Sequence, residues 1–190
     1  MSTGTRVDLG SGRTIAAMVT NWLAPACERV EVAGSIRRGK ADVGDIELVV
    51  IPKVTTEPDG MFGERTVNQL TERLDMIIAY GGRLASHPTD PKRGDRYSKV
   101  IHAPSGLQVD LFSATARTFG LILLIRTGPA AYSQRFVTDI RKAALHVASG
   151  ELHRGSLGCG SIGCEVIPTP EEIDVYAAAK RAYLRPEHRE

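Results

Sequence analysis

Asp45 and Glu47 stand two residues apart inside an apolar, β-branched segment, Asp45 to Ile51. In an extended strand, residues i and i+2 project from one face, so the two carboxylates lie roughly 7 Å apart and reach a common site. Two acids on a core strand repel each other and lose hydration, and a divalent cation is the simplest way to neutralise them. Carboxylate oxygens favour magnesium or manganese. Asp110, flanked by Val109, Leu111 and Phe112 in a second apolar segment, is a candidate third ligand. Three acids on neighbouring strands make the two-cation site that an in-line nucleotidyl transfer needs. On spacing alone, the pair reads equally well as outward acids on an edge strand, with Asp110 unrelated to them.

The segment ahead of the pair, Gly34 to Gly44, is glycine-punctuated and basic. Gly34-Ser35 can bring backbone N–H groups close to an anion and Arg38 can add charge-assisted hydrogen bonds, which together would cradle phosphates beside the acids. A Gly-Ser pair by itself is ordinarily a turn.

Elements that would position these residues are readable from periodicity. Ile15, Met18, Val19, Trp22 and Leu23 recur at helical spacing, with Ser11 as the expected N-cap and Pro25 as the break. Val30 to Ala33 and Asp45 to Ile51 read as strands, as do Ser98 to His102 and Leu107 to Ser113. A helix is predicted over Arg65 to Tyr80, ended by Gly81-Gly82. Beyond Ala114, Phe119 to Ile125 and the stripe Tyr132, Phe136, Ile140 and Ala144 read as helices. Two short strands are expected between Glu151 and Ile167, then a last helix capped at Thr169 with Pro170 at N1. Strands first and helices later indicate an α+β chain.

The bulk composition limits the rest. A chain of 190 residues with 42% hydrophobic content can bury one substantial core or two small ones. There is no apolar run of membrane-spanning length and no signal-peptide pattern at the start, so a soluble, cytoplasmic protein with no membrane partner is expected. The three cysteines, Cys27, Cys159 and Cys164, are expected to be reduced. The net charge of +2 does not itself point to nucleic acid. Basic residues gather locally at Lys92, Arg93, Arg96 and Lys99, and again near the C-terminus through Arg189. Such clusters are usually solvated faces, though the first could touch DNA phosphates.

Taken together, Gly34-Ser35-Ile36-Arg37-Arg38-Gly39 and Gly44-Asp45-Ile46-Glu47 resemble the nucleotidyltransferase signature in the form found in family X, the DNA polymerase beta-like enzymes. Gln108-Val109-Asp110-Leu111 resembles that family's strand bearing the third metal ligand. Arg126-Thr127-Gly128 resembles its Tyr-Phe-Thr-Gly segment beside the incoming nucleotide, and Ile167-Pro168 through Arg185-Pro186 resembles its closing helix. The resemblance runs from Val30 to the C-terminus and is specific at the Gly-Ser and acid motifs.

It implies a palm in residues 1–115, a mixed or antiparallel sheet with helices on one face. A C-terminal nucleotide-binding (thumb) subdomain of helices and short strands would follow in 116–190. It also implies a DNA-directed DNA polymerase that adds deoxynucleotides to a primer 3′-hydroxyl, in short-gap repair and without lyase activity. Asp45, Glu47 and Asp110 would bind two Mg2+ or Mn2+ ions. Gly34, Ser35, Arg38 and Gly44 would hold the triphosphate, and Arg126, Thr127 and Gly128 would flank the nucleotide. The partners would be primer-template or gapped DNA, met by Lys92, Arg93, Arg96 and Lys99, and a nucleoside triphosphate; the protein would be a monomer. The alternative is a nucleotidyltransferase acting on RNA, protein or a small molecule. Glu47 departs from the family's usual Asp, Gln108 from a common Arg, and Ile125-Arg126 from the aromatic pair.

Overall fold

The structure, a computed structural model, describes residues 5–60, 63–155 and 164–190. The chain begins with β1 (Val7–Asp8), α1 (Leu9–Leu23), β2 (Cys27–Val32), the short helix α2 (Gly34–Arg37), β3 (Asp42–Val43) and β4 (Asp45–Pro52). Next come β5 (Val54–Pro58), β6 (Glu64–Asn68), α3 (Gln69–Met76), β7 (Leu84–Ser86), β8 (Lys92–Arg93), β9 (Tyr97–His102) and β10 (Leu107–Ser113). Then follow α4 (Phe119–Thr127), α5 (Ala130–Asp139), β11 (Leu145–Ala148), β12 (Glu151–Arg154), β13 (Glu165–Ile167) and α6 (Glu172–Ala178). The class is α+β, as expected.

Strands β2, β4, β10, β9 and β7 lie side by side in that order, and β8 also pairs with β9. β4 and β10 run parallel while the other pairs are antiparallel, so the sheet is mixed. β2 and β10 flank β4 from Leu48 onward and the Ala33 N–H still bonds the Glu47 carbonyl, so the strand is interior as far as Glu47, while Asp45 lies past the end of β2 beside β10.

Strand alternation sorts the side chains between two faces. Ile46, Leu48 and Val50 of β4, with Val109 and Leu111 of β10 and Val100 of β9, bury against α1 residues Ile15, Val19 and Leu23 and α3 residues Leu70 and Leu74. On the opposite face, Val49 and Phe112 pack with Ala33, Ala114, Phe119 and Leu123, so α4 covers that part of the sheet. Asp45, Glu47, Gln108 and Asp110 occupy the remaining positions of the same face. α4 is apolar all round because its other side joins a second cluster, Leu121, Leu124, Phe136, Leu152, Val175 and Tyr176.

Four local expectations are corrected. Residues 64–68 form β6, hydrogen-bonded to β5 in a hairpin, and the helix starts only at Gln69. Val67 fits a helical stripe and a strand equally well, and the β-branched run Val54 to Thr56 supplies the partner strand. Asp8, not Ser11, caps α1; its carboxylate accepts from the Ser11 N–H at 3.0 Å. α6 is capped by Glu171 in a reciprocal box with Asp174, while Thr169 is buried and its carbonyl accepts from Gly120 N–H. Cys27 is free and buried, but Cys164 is disulfide-bonded rather than reduced. The middle of the expected Glu151–Ile167 strand pair, residues 156–163 with Cys159, lies outside the described residues. Among the described residues no helix is long and apolar enough to cross a membrane.

Candidate active site

The parallel pairing of β4 with β10 sets Asp110 directly beside Glu47, and Asp45 beside Gln108. All three acids therefore share one patch of the sheet. Asp110 is buried and both of its oxygens are engaged: the Tyr97 hydroxyl donates to Oδ1 at 2.6 Å and the Gln108 amide to Oδ2 at 2.7 Å. Burial, then the charges of Asp45 and Asp110, push Glu47 up to about 7, against the opposing pull of Arg126 and Arg38. Burial and Asp110 likewise raise Asp45. The patch thus holds more negative charge than its arginines neutralise.

This strain has a testable sign. Glu47 ionises at about 7 in the folded chain and near 4.5 when unfolded, so its ionisation destabilises the fold increasingly as pH rises through that window and fully above it. Glu47→Gln should raise the stability of the cation-free protein at pH 8 by about 3 kcal/mol and leave it nearly unchanged at pH 4. Denaturant melts at the two pH values check this; equal effects at both would contradict it.

The turn ahead of β4 is built against the acids. Gly34 has φ +62°, and a Cβ there would lie 2.1 Å from the Glu47 Oε2, so only glycine lets the loop close over that carboxylate. Ser35 Oγ and Arg38 Nε are buried without a hydrogen-bond partner among the described residues, two donors waiting for an acceptor. The Arg38 guanidinium reaches the Thr127 carbonyl, and Asp45 and Glu47 lie within electrostatic range of it. Gly44 is roofed by Arg6, whose Nη1 would sit 2.9 Å from a Cβ there. Arg6 also pairs with Asp42 at 2.6 Å and offsets part of the rise in the Asp45 carboxyl. Sequence reasoning missed Arg6, because only the pairing of β1 with β3 brings it to this site.

The C-terminal half meets the turn through Thr127. Its hydroxyl accepts from Arg37 at 2.8 Å, and Gly128 packs too tightly on Tyr132 and Ser133 to carry a side chain. The Arg126 guanidinium lies 3.8 Å from the centre of the Phe112 ring. It borders an open cleft of about 550 Å3 that is also lined by Arg96, Tyr97 and Thr118. Three of the four basic residues expected to meet DNA are paired with acids: Lys92 and Lys99 with Asp90 at 3.1 and 2.8 Å, and Arg93 with Asp75 at 2.9 Å. Arg96 forms no ion pair among the described residues. Arg189, read as part of a solvated cluster, is fully buried.

Among the described residues no three acids, histidines or cysteines close on one point tightly enough to hold an ion by themselves. Magnesium, however, usually takes one or two carboxylates and completes its shell with waters and substrate phosphates. An under-neutralised carboxylate group next to unpaired phosphate-type donors fits that mode of binding.

No protein-family model matches the chain. Over 165 residues it is 27% identical to DNA polymerase lambda of Rattus norvegicus, a match that takes in 83% of this chain and 28% of the length of the rat protein. That partial similarity relates the chain, distantly, to the DNA polymerases of family X.

Proposed function

We propose that the chain is a nucleotidyltransferase of the DNA polymerase type, adding deoxynucleotides to a primer 3′-hydroxyl on gapped or primer-template DNA with two divalent cations. The observation that carries this reading is the placement of three acids on one sheet face beside a turn with two buried, unpartnered donors, Ser35 Oγ and Arg38 Nε. A triphosphate would satisfy the donors, and cations would satisfy the acids.

In this reading residues 1–115 form the palm and 116–190 the nucleotide-binding subdomain. Asp45, Glu47 and Asp110 would hold Mg2+ or Mn2+, which when bound lowers the cost of ionising the 3′-hydroxyl and of releasing pyrophosphate. Ser35, Arg38 and Arg6 orient the triphosphate, and Arg38 stabilises the charge that gathers on the leaving group. Gly34 and Gly44 keep the turn free of side chains where phosphate approaches. Thr127 fixes Arg38 through its carbonyl, and Arg126 and Gly128 flank the nucleotide. Lys92, Arg93 and Lys99 would exchange Asp90 and Asp75 for DNA phosphates, with Arg96 beside them.

Primer extension on gapped and templated DNA, with either cation and each nucleotide, tests the proposal. Cation-dependent incorporation that disappears in Asp110→Ala is the expected result. Transfer of label from a nucleoside triphosphate to RNA, protein or a small molecule, with none to DNA, would assign a different acceptor.

A further inference from the structure

Tyr97 belongs to none of the motifs that mark the site, yet it makes one of the two side-chain hydrogen bonds to the Asp110 carboxylate among the described residues. It enters from β9, where it stands opposite Phe112. The two rings stack with centroids 5.1 Å apart and planes 20° from parallel. Phe112 is held in turn beneath the Arg126 guanidinium. The Tyr97 ring is thus fixed by its neighbours, and its hydroxyl reaches Asp110 Oδ1 at 2.6 Å.

The terminal torsion of an aspartate is broad, so a single contact leaves its carboxylate free to rotate. Here Gln108 holds Oδ2 at 2.7 Å while Tyr97 holds Oδ1, and bonds on both oxygens fix the plane of the group. Each carboxylate oxygen has two acceptor directions, so each keeps one open for a cation. We propose that Tyr97 is a positioning residue for Asp110, its hydroxyl locking the carboxylate plane in the orientation that accepts a divalent cation. The inference rests on the proposed role of Asp110 and adds a determinant of its geometry. Hydrogen-bond partners behind ligating carboxylates commonly contribute about 10- to 100-fold in metal affinity.

The test uses the full chain with a non-hydrolysable deoxynucleoside triphosphate, and counts bound Mn2+ by electron paramagnetic resonance. Tyr97→Phe keeps the stacked ring and removes only the hydroxyl. It should weaken Mn2+ binding roughly 10-fold while melting temperature and nucleotide affinity stay as in the wild type. Phe112→Leu, which removes the stacking partner and keeps the hydroxyl, should weaken Mn2+ binding less. Wild-type Mn2+ affinity in Tyr97→Phe, with a cation lost in Asp110→Asn, overturns the positioning role and leaves the active-site reading intact. Wild-type Mn2+ binding in Asp110→Asn overturns both. A melting temperature that falls together with Mn2+ affinity in Tyr97→Phe would assign the loss to structure and likewise overturn the proposal.

Discussion

Replacing Asp45 by asparagine should lower nucleotide incorporation by on the order of 1,000-fold and leave the protein folded, with thermal stability equal to or above that of the wild type. The two halves of this result have one cause. Asp45 is raised by burial and by the neighbouring Asp110 charge, so in the cation-free chain its negative charge is unfavourable. Asparagine keeps the shape and removes the repulsion. The same negative charge is what a cation would need, and through that cation a triphosphate, and the neutral amide cannot replace it. Single-turnover incorporation, measured beside a thermal melt without cation, reads both effects. A variant retaining a tenth of the wild-type rate would remove Asp45 from the chemistry. A variant that is inactive and also strongly destabilised would make Asp45 structural.

The parts of this site that were legible in the sequence are those set by local pattern. β4, β9 and β10 follow from runs of β-branched and apolar residues, and period two puts Asp45 with Glu47 and Gln108 with Asp110. Nothing local says that β4 and β10 are adjacent and parallel in a register that sets Glu47 against Asp110. The same holds for Tyr97, whose reach to Asp110 depends on the antiparallel register of β9 and β10. Arg6 is delivered by a two-residue strand far too short to announce itself. The ion pairs of the basic cluster show the same limit: Asp75 is 18 residues from Arg93 in sequence, so their pairing is invisible before the chain is folded. Failures of helix boundaries have a similar origin. Val67 satisfies either period, and the hairpin partner, β5, decides for the strand.

Glu172→Ala should destabilise the protein by about 3–5 kcal/mol, lowering the melting temperature by roughly 10 °C, and should weaken nucleoside triphosphate binding as well. Glu172 stands at the first turn of α6 and is almost fully buried. Arg37 grips its two oxygens at 2.7 and 2.8 Å, Arg189 at 2.8 and 3.3 Å, and the Tyr183 hydroxyl adds a bond at 3.2 Å. Burial alone would push the Glu172 carboxyl up, but the bonds from Arg37 and Arg189 more than offset it, so the group sits below its ordinary value. A depressed carboxyl contributes its full stability above the unfolded value of 4.5 and loses it as pH falls through the folded value. Glu172→Ala should therefore lie furthest from the wild type near neutral pH and approach it in acid. Removing the glutamate leaves Arg189, which has no solvent exposure, with the Leu184 carbonyl as acceptor and no paired acid among the described residues. Arg37→Leu should cost less, because Glu172 still holds Arg189. The coupling to nucleotide follows from position: Arg37 bonds to the Thr127 hydroxyl, and Arg38, next in the chain, bonds to the Thr127 carbonyl. Loosening Arg37 frees the residue that presents Arg38 to phosphate. Denaturant melts and equilibrium nucleotide binding should thus fall together in Glu172→Ala. If nucleotide affinity is unchanged in a clearly destabilised variant, the network is a structural clamp with no part in holding the phosphate turn.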